Sequence, residues 1–378
     1  MASGSGGSSG PPGPDEIIEF GSGQSRWRRG ATALLAAGLA AALLVKAADQ
    51  PGHRHPPAPP AVAVTQTGHR LLGVQAGWEL FGLDQDGIVS VRFDRGQIIR
   101  TALPPPEGDG PESLIVGPHQ AIVRPLDNVP GYLVPDGAPP RPLTGLLAAG
   151  SLLLPGPGPA QEWLVNGNAN SLTLLGPDGR PASPDADHIV LPADRWVALS
   201  AMSDGRGDLL ISGVSGGQYD VSRAGVRHVG ALLDAVGPAR WLGVSCTKAA
   251  CQNVVINPVT GSRRVLPGPA LHLLTWPWPY EPGTVAPDGR TAAVVVGTGG
   301  RGVGLTEINL VTGATARIGV PVTENTSSQT MVWSPDSKWL FVVSAAGLLL
   351  AVSTASRQVA GLGVPLPDFS QLAIRAAG

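Results

Sequence analysis

The chain has 378 residues, a formal net charge of −2 and no basic stripe, so nucleic acid is not an expected partner. It holds 52 Gly and 38 Pro, together about a quarter of all residues and roughly twice ordinary usage. Beyond residue 64 the longest stretch free of both is the 14 residues Val244–Asn257, which excludes a helix bundle, because Pro inside a helix costs about 3 kcal/mol. With 43% apolar residues the chain can bury a core, so disorder is excluded as well, and many short strands joined by turns fit best. Lys46, Lys248 and Lys338 are the only lysines among 26 basic residues, a bias that fits a GC-rich bacterial genome and carries no mechanism.

In chain order, residues 1–25 are mostly Gly, Ser and Pro and read as a disordered cytoplasmic tail. Its one exception is the acidic-hydrophobic hexapeptide Asp15–Phe20. Residues 26–48 read as a transmembrane helix or anchor: Arg26, Trp27, Arg28 and Arg29 precede the apolar run Gly30–Val45. With Lys46–Ala48 this run spans about 28 Å as a helix, against a bilayer core of about 30 Å. Lys46 can snorkel and Trp27 suits the interface. The arginines on the amino-terminal side put the N-terminus in the cytoplasm and the rest outside. A signal peptide cleaved near Val45–Lys46–Ala47 is the competing reading, and it exports the same residues. Residues 49–64 form a Pro-rich tether, in which His53 and His55 are read as solvated.

From 65 to 378 an apolar strand, a tight turn and a short, partly polar strand recur. The turns fall at Gly96, Gly137, Gly179, Gly225, Gly261, Gly313 and Ser356, about every 43 residues, which is the spacing of propeller blades. The expected fold is therefore all-β, a seven-bladed β-propeller, with six blades possible because the intervals around Gly261 are uneven. Ala292–Val296, Leu305–Leu310 and Trp339–Val343 read directly as strands. Phe369–Ile374 follows the last turn and is expected to pair with a strand near residues 65–80, closing the ring.

Two segments, 285–318 and 332–359, resemble the TolB-type and WD-like propeller repeat. The matching residues are Pro287, Asp288, Gly289, Ser334, Pro335 and Asp336, with Thr312 and Gly313 closing the first unit. Pro presets the first turn dihedral, Asp caps the turn and Gly accepts positive φ. Ser337 stands where the repeat has Gly, and the family's amino-terminal docking domain has no counterpart. The resemblance implies a propeller; propellers serve binding, scaffolding and catalysis alike.

Several motifs reduce to turns. Gly297–Gly302 fits G-x-G-x-x-G, but the alternating Val303–Leu310 follows where a dinucleotide site needs a helix. Asp84–Gly87 lacks the later ligands of a calcium loop, and Arg206–Asp208 sits in a turn-rich stretch. No G-x-S-x-G occurs and no His pair has metal-ligand spacing, so no catalytic residue, metal or cofactor is expected. Cys246 and Cys251 flank a four-residue loop between two apolar strands and are expected to form a disulfide. Trp276, Trp278 and Tyr280, held extended by alternating prolines, read either as packing or as a binding surface.

The expected whole is a membrane-tethered, extracytoplasmic propeller that binds a protein or cell-envelope partner on one face without catalysis. An envelope lyase or hydrolase with its site at the propeller channel is the alternative, and signalling through the cytoplasmic tail is another.

Overall fold

A computed structural model describes residues 62–376, apart from 75, 105–110, 126–130, 144–150, 157–160, 167–170, 177–180, 183–187, 191–199, 205, 213–217, 223, 248–249, 269, 271–281 and 298–302. The tail, the span expected at 26–48 and most of the tether thus lie outside the described residues. Among the described residues no helix is long and apolar enough to cross a membrane.

The described chain is all-β. Its strands are β1 (Val62–Gln66), β2 (Trp78–Leu83), β3 (Gly87–Arg92) and β4 (Gln97–Ala102), then β5 (Pro111–Val116), β6 (Gln120–Pro125), β7 (Tyr132–Pro135) and β8 (Arg141–Pro142). Next come β9 (Ser151–Pro155), β10 (Glu162–Asn166), β11 (Ser171–Leu175) and β12 (His188–Val190), followed by β13 (Ser200–Ser203), β14 (Leu209–Ser212), β15 (Gln218–Ser222) and β16 (Gly225–His228). β17 (Leu232–Val236), β18 (Trp241–Cys246), β19 (Cys251–Ile256) and β20 (Arg263–Val265) precede β21 (Gly283–Val285), β22 (Thr291–Gly297), β23 (Val303–Asn309) and β24 (Thr315–Arg317). The last are β25 (Met331–Trp333), β26 (Trp339–Val343), β27 (Leu349–Ser353), β28 (Val359–Gly361) and β29 (Gln371–Ala376).

Each successive group of four runs as an antiparallel meander, as short strands with tight turns should. β17–β20 and β21–β24 are joined into one eight-stranded sheet by a parallel pairing of β17 with β21. The first group differs: its order is β1-β4-β3-β2-β29, so the carboxy-terminal strand completes it from the inside and β1 covers its outer edge. β1 includes Val62–Val64, which the sequence places in the tether. The carboxy-terminal strand closes onto β2 through six residue pairs, from Trp78 opposite Ala376 to Leu83 opposite Gln371. This strand lies two residues beyond the expected Phe369–Ile374, because Phe369 turns inward and lays its ring over Gly82.

A four-stranded sheet that is apolar on both faces needs a neighbour on each. The cores lie accordingly between consecutive sheets. Phe81, Leu83 and Ile88 meet Leu114, Val123 and Val134, and Ile115 and Ile122 meet Leu175. Trp163 and Leu174 meet Leu209 and Ile211, and Met202 and Leu210 meet Leu233 and Trp241. Leu242 and Val255 meet Ala292 and Ile308, while Val295 and Leu305 meet Met331 and Leu340. The series ends where it began, with Phe341 of β26 packed against Trp78 and Phe93, ring centroids 5.6 and 5.3 Å away. This cyclic order is a β-propeller-like arrangement.

The turn rhythm has a plain physical cause. The turns between third and fourth strands pass through positive φ, at Gly96 (57°), Gly137 (67°), Gly225 (126°), Gly261 (70°) and Gly313 (78°). Gly179 lies outside the described residues. In the last unit Arg357, at φ 55°, holds this conformation rather than Ser356. Ser337 likewise adopts φ 59° where the preceding unit has Gly289 at 70°. Two of the turns share one construction: the side-chain oxygen of Asn257 or Asn309 accepts the next two available amides, and Gly261 or Gly313 donates to the same residue's carbonyl.

These positions should not respond alike to substitution. Gly137 has open space around it, so Gly137→Ala carries only the left-handed penalty, about 1 kcal/mol. At Gly313 the added carbon would also meet the carbonyl oxygen of Pro267, and Gly313→Ala should lose about 2–4 kcal/mol in urea unfolding. Equal losses would contradict this reading of the turns.

Candidate functional site

Among the described residues, buried charged side chains gather in three places that bear on function. The first lies beside the closing strand. Glu79 of β2 accepts hydrogen bonds from Arg92, Ser90 and Arg375. Arg375 also donates to Asp136 at 3.0 Å and to the carbonyl of Gly117 at 3.1 Å, and its guanidinium lies 4.8 Å over the Phe81 ring. Burial acts to raise the Glu79 carboxyl, but the two arginines outweigh it and hold it below its ordinary value. Burial likewise acts to lower Arg375, and Glu79 and Asp136 outweigh that and hold it above. A cavity of about 30 Å³ nearby, lined in part by Ser90, Arg92, Thr101 and Asp136, has room for about one water.

The second part is a set of enclosed acids. Glu162 of β10 is fully buried, 3.6 Å from Arg124 of the neighbouring sheet. Burial pushes its carboxyl up to about 7 against the pull of Arg124, whose own value burial lowers. Asp234 sits at an irregularity in β17, between the register pairs of Leu233 and Ala235. It is fully buried, neither of its oxygens has a hydrogen-bond partner, and burial raises it to about 8.

The third part is a triad of carboxylates, Asp204, Asp208 and Asp220, each offering an oxygen within 4.8 Å of the others. Register explains their convergence. Met202 pairs with Leu210, and Leu210 with Asp220, so these side chains share a face of the β13–β16 sheet. Asp204 lies two residues after Met202 and Asp208 two before Leu210, which returns both to that face. The loop carrying them is held by an indole on either side: Trp163 Nε1 donates to the Gly207 carbonyl at 2.7 Å, and Trp241 Nε1 to the Asp204 carbonyl at 3.2 Å. Asp204 Oδ1 accepts the amides of Arg206 and Asp208, at 2.6 and 2.9 Å. Asp220 Oδ2 accepts from Arg227 at 2.5 Å, and Arg227 also donates to the Pro258 carbonyl. Burial, followed by the charges of Asp208 and Asp220, raises Asp204 to about 7 against those two amides. Burial and Asp220 also raise Asp208.

The sequence motifs fall as follows. Cys246 and Cys251 are direct register partners with Cα atoms 4.0 Å apart, joined by a disulfide at an exposed hairpin tip. Trp276, Trp278 and Tyr280 lie outside the described residues. Asp84 and Asp86 form a turn engaged by Arg100. The G-x-G-x-x-G segment joins β22 to antiparallel β23, with Gly297 opposite Val303, so no helix follows it. Sequence reading took the stretch Asp204–Asp208 only as a turn. Its signal is two acids four residues apart, and the third acid joins them only through the register of β15.

No family model and no curated protein matches the chain. It is similar to solved propeller structures. TolB from Acinetobacter baumannii shares 14% identity, with 79% of this chain and 82% of that one covered and a TM-score of 0.40. A Mycobacterium tuberculosis puromycin-hydrolysing peptidase shares 16%, covering 75% of this chain and 51% of that one, TM-score 0.48. An oligogalacturonate lyase in complex with manganese shares 12%, covering 76% and 93%, TM-score 0.46. With TM-scores below 0.5 these likenesses decide neither activity nor ligand, and the propeller-like arrangement rests on the chain's own strand order.

The enclosed acids set a pH dependence. Asp234 keeps its proton in the folded protein up to about pH 8, whereas in the unfolded chain it ionises near pH 3.9. Between those values the folded state binds more protons, so stability falls as pH rises from about 4 to about 8. The Tm of the protein should fall between pH 6 and 8, and Asp234→Asn should flatten that decline. Parallel Tm profiles for the two proteins would contradict it.

Proposed function

We propose that the protein is a seven-bladed β-propeller held at the outer face of the cytoplasmic membrane by residues 26–48, acting there as a non-catalytic binding or scaffold module. Each four-stranded meander is taken as one blade, β17–β20 and β21–β24 counting as two, with β29 completing the first. The cyclic order of the inter-sheet cores supports that count.

The location is carried by one observation, the exposed disulfide Cys246–Cys251. A bridge in that position persists in an oxidising compartment and is reduced in a cytosol. It agrees with the three arginines before the apolar run, which orient the N-terminus inward. Asp234 and Glu162, the raised acids outside the Asp204–Asp208–Asp220 cluster, have no solvent exposure, so neither meets a substrate. Trp276, Trp278 and Tyr280 are the residues we assign to partner contact, as large rings on a Pro-stiffened segment.

The chain has only two cysteines, which makes the test direct. In intact cells a membrane-impermeant maleimide should label the protein only after an impermeant reductant, and the labelled protein should sediment with membranes. Crosslinking on the same cells should capture an envelope partner, and capture should weaken in Trp276→Ala with Trp278→Ala. Labelling that needs lysis overturns the location, and labelling that needs no reductant overturns the disulfide on which it rests. Turnover of an envelope polymer by the purified protein overturns the non-catalytic role.

A further inference from the structure

The two most buried members of the carboxylate triad share an arrangement that salt bridging does not explain. Asp204 is 0% exposed and Asp220 6% exposed. Each commits one oxygen, Asp204 Oδ1 to two backbone amides and Asp220 Oδ2 to Arg227. Each leaves the other oxygen, Asp204 Oδ2 and Asp220 Oδ1, buried with no hydrogen-bond partner. A buried carboxylate oxygen without a donor is unfavourable, and gathering three carboxyls within 4.8 Å of one another compounds the repulsion. Asp234 marks the contrast: its oxygens are also bare, but burial alone accounts for its behaviour, with no second acid acting on it among the described residues.

We propose that Asp204, Asp208 and Asp220 form a binding site for a divalent cation with oxygen preference, and that the cation is calcium. The donor set is all carboxylate, which suits a hard cation and not zinc or copper. Oxygens no more than 4.8 Å apart can surround one ion at the 2.3–2.6 Å of calcium coordination. The fixed oxygens hold the carboxylates in place, and the bare ones are free to ligate. Asp208 is only half-buried and provides the way in from solvent. Arg227 on Asp220 and Arg206 near Asp208 offset part of the negative charge, which leaves a moderate rather than a very tight site. All three ligands come from the β13–β16 sheet, so the ion would tie the β13–β14 loop to β15 on the side that faces Trp241 of the next sheet.

Trp241, hydrogen-bonded to the Asp204 carbonyl, is a built-in reporter. Terbium added to the full chain and excited through tryptophan should give saturable sensitised emission that calcium displaces. Asp208→Asn, a change at the least buried member, should weaken that response at least about tenfold. Asp86→Asn, in the Arg100-bound turn, should leave it unchanged. Calcium chloride should also raise the Tm of the unmodified protein above that seen in sodium chloride of equal ionic strength. This second measurement needs no variant to fold. Emission that does not saturate, an undiminished response in folded Asp208→Asn, displacement by magnesium but not calcium, or a Tm indifferent to calcium each overturns the proposal.

Discussion

Everything in this fold depends on the seating of β29 against β2. A row of sheets that are apolar on both faces has two uncovered ends, and a linear array would leave them wet. Closure brings the first and last sheets together over Trp78, Phe93 and Phe341 and removes both ends at once. The contacts of β29 reach further than its ladder. Gln371 exchanges hydrogen bonds with both backbone groups of Leu114 in β5, and Arg375 reaches Asp136 and Gly117. One strand therefore fastens three sheets, and the charges it buries are paired on every side. Removing one member of such a buried network costs about 3–5 kcal/mol, because its partners remain charged and enclosed.

The same economy of pairing fails at several other buried groups among the described residues. Around β13–β18, Asp204, Asp220 and Asp234 keep oxygens without donors. Two tryptophans from flanking sheets grip the loop between β13 and β14, so the acids cannot swing out to water without breaking indole hydrogen bonds. Glu162 also keeps bare oxygens but has Arg124 3.6 Å away, whereas the triad gathers three acids around one point, and that separates it from ordinary turn aspartates such as Asp84 and Asp86, which an arginine satisfies.

Much of the architecture was legible in the sequence because one backbone requirement repeats. The turn between third and fourth strands needs a left-handed residue, and Gly96, Gly137, Gly225, Gly261 and Gly313 advertise it. Where Arg357 and Ser337 fill such positions the advertisement disappears, and the last turn is read one residue early. The disulfide was legible from spacing, since Cys246 and Cys251 flank a hairpin loop. The acid triad was not. Asp204 and Asp208 look like turn formers, and Asp220 joins them only through the register of Leu210. The Glu79–Arg375–Asp136 network was equally hidden, because Arg375 lies 296 and 239 residues from its two acids and meets them only through closure.

The central claim is that closure by β29 makes the array one cooperative unit. It is tested by urea unfolding of a chain ending at Ser370, followed by near-ultraviolet circular dichroism and by tryptophan emission. The account predicts loss of the single transition, with the two probes separating and the urea dependence falling well below that of the whole chain. A truncated chain that unfolds in one coincident transition, with the midpoint and slope of the full protein, would contradict it.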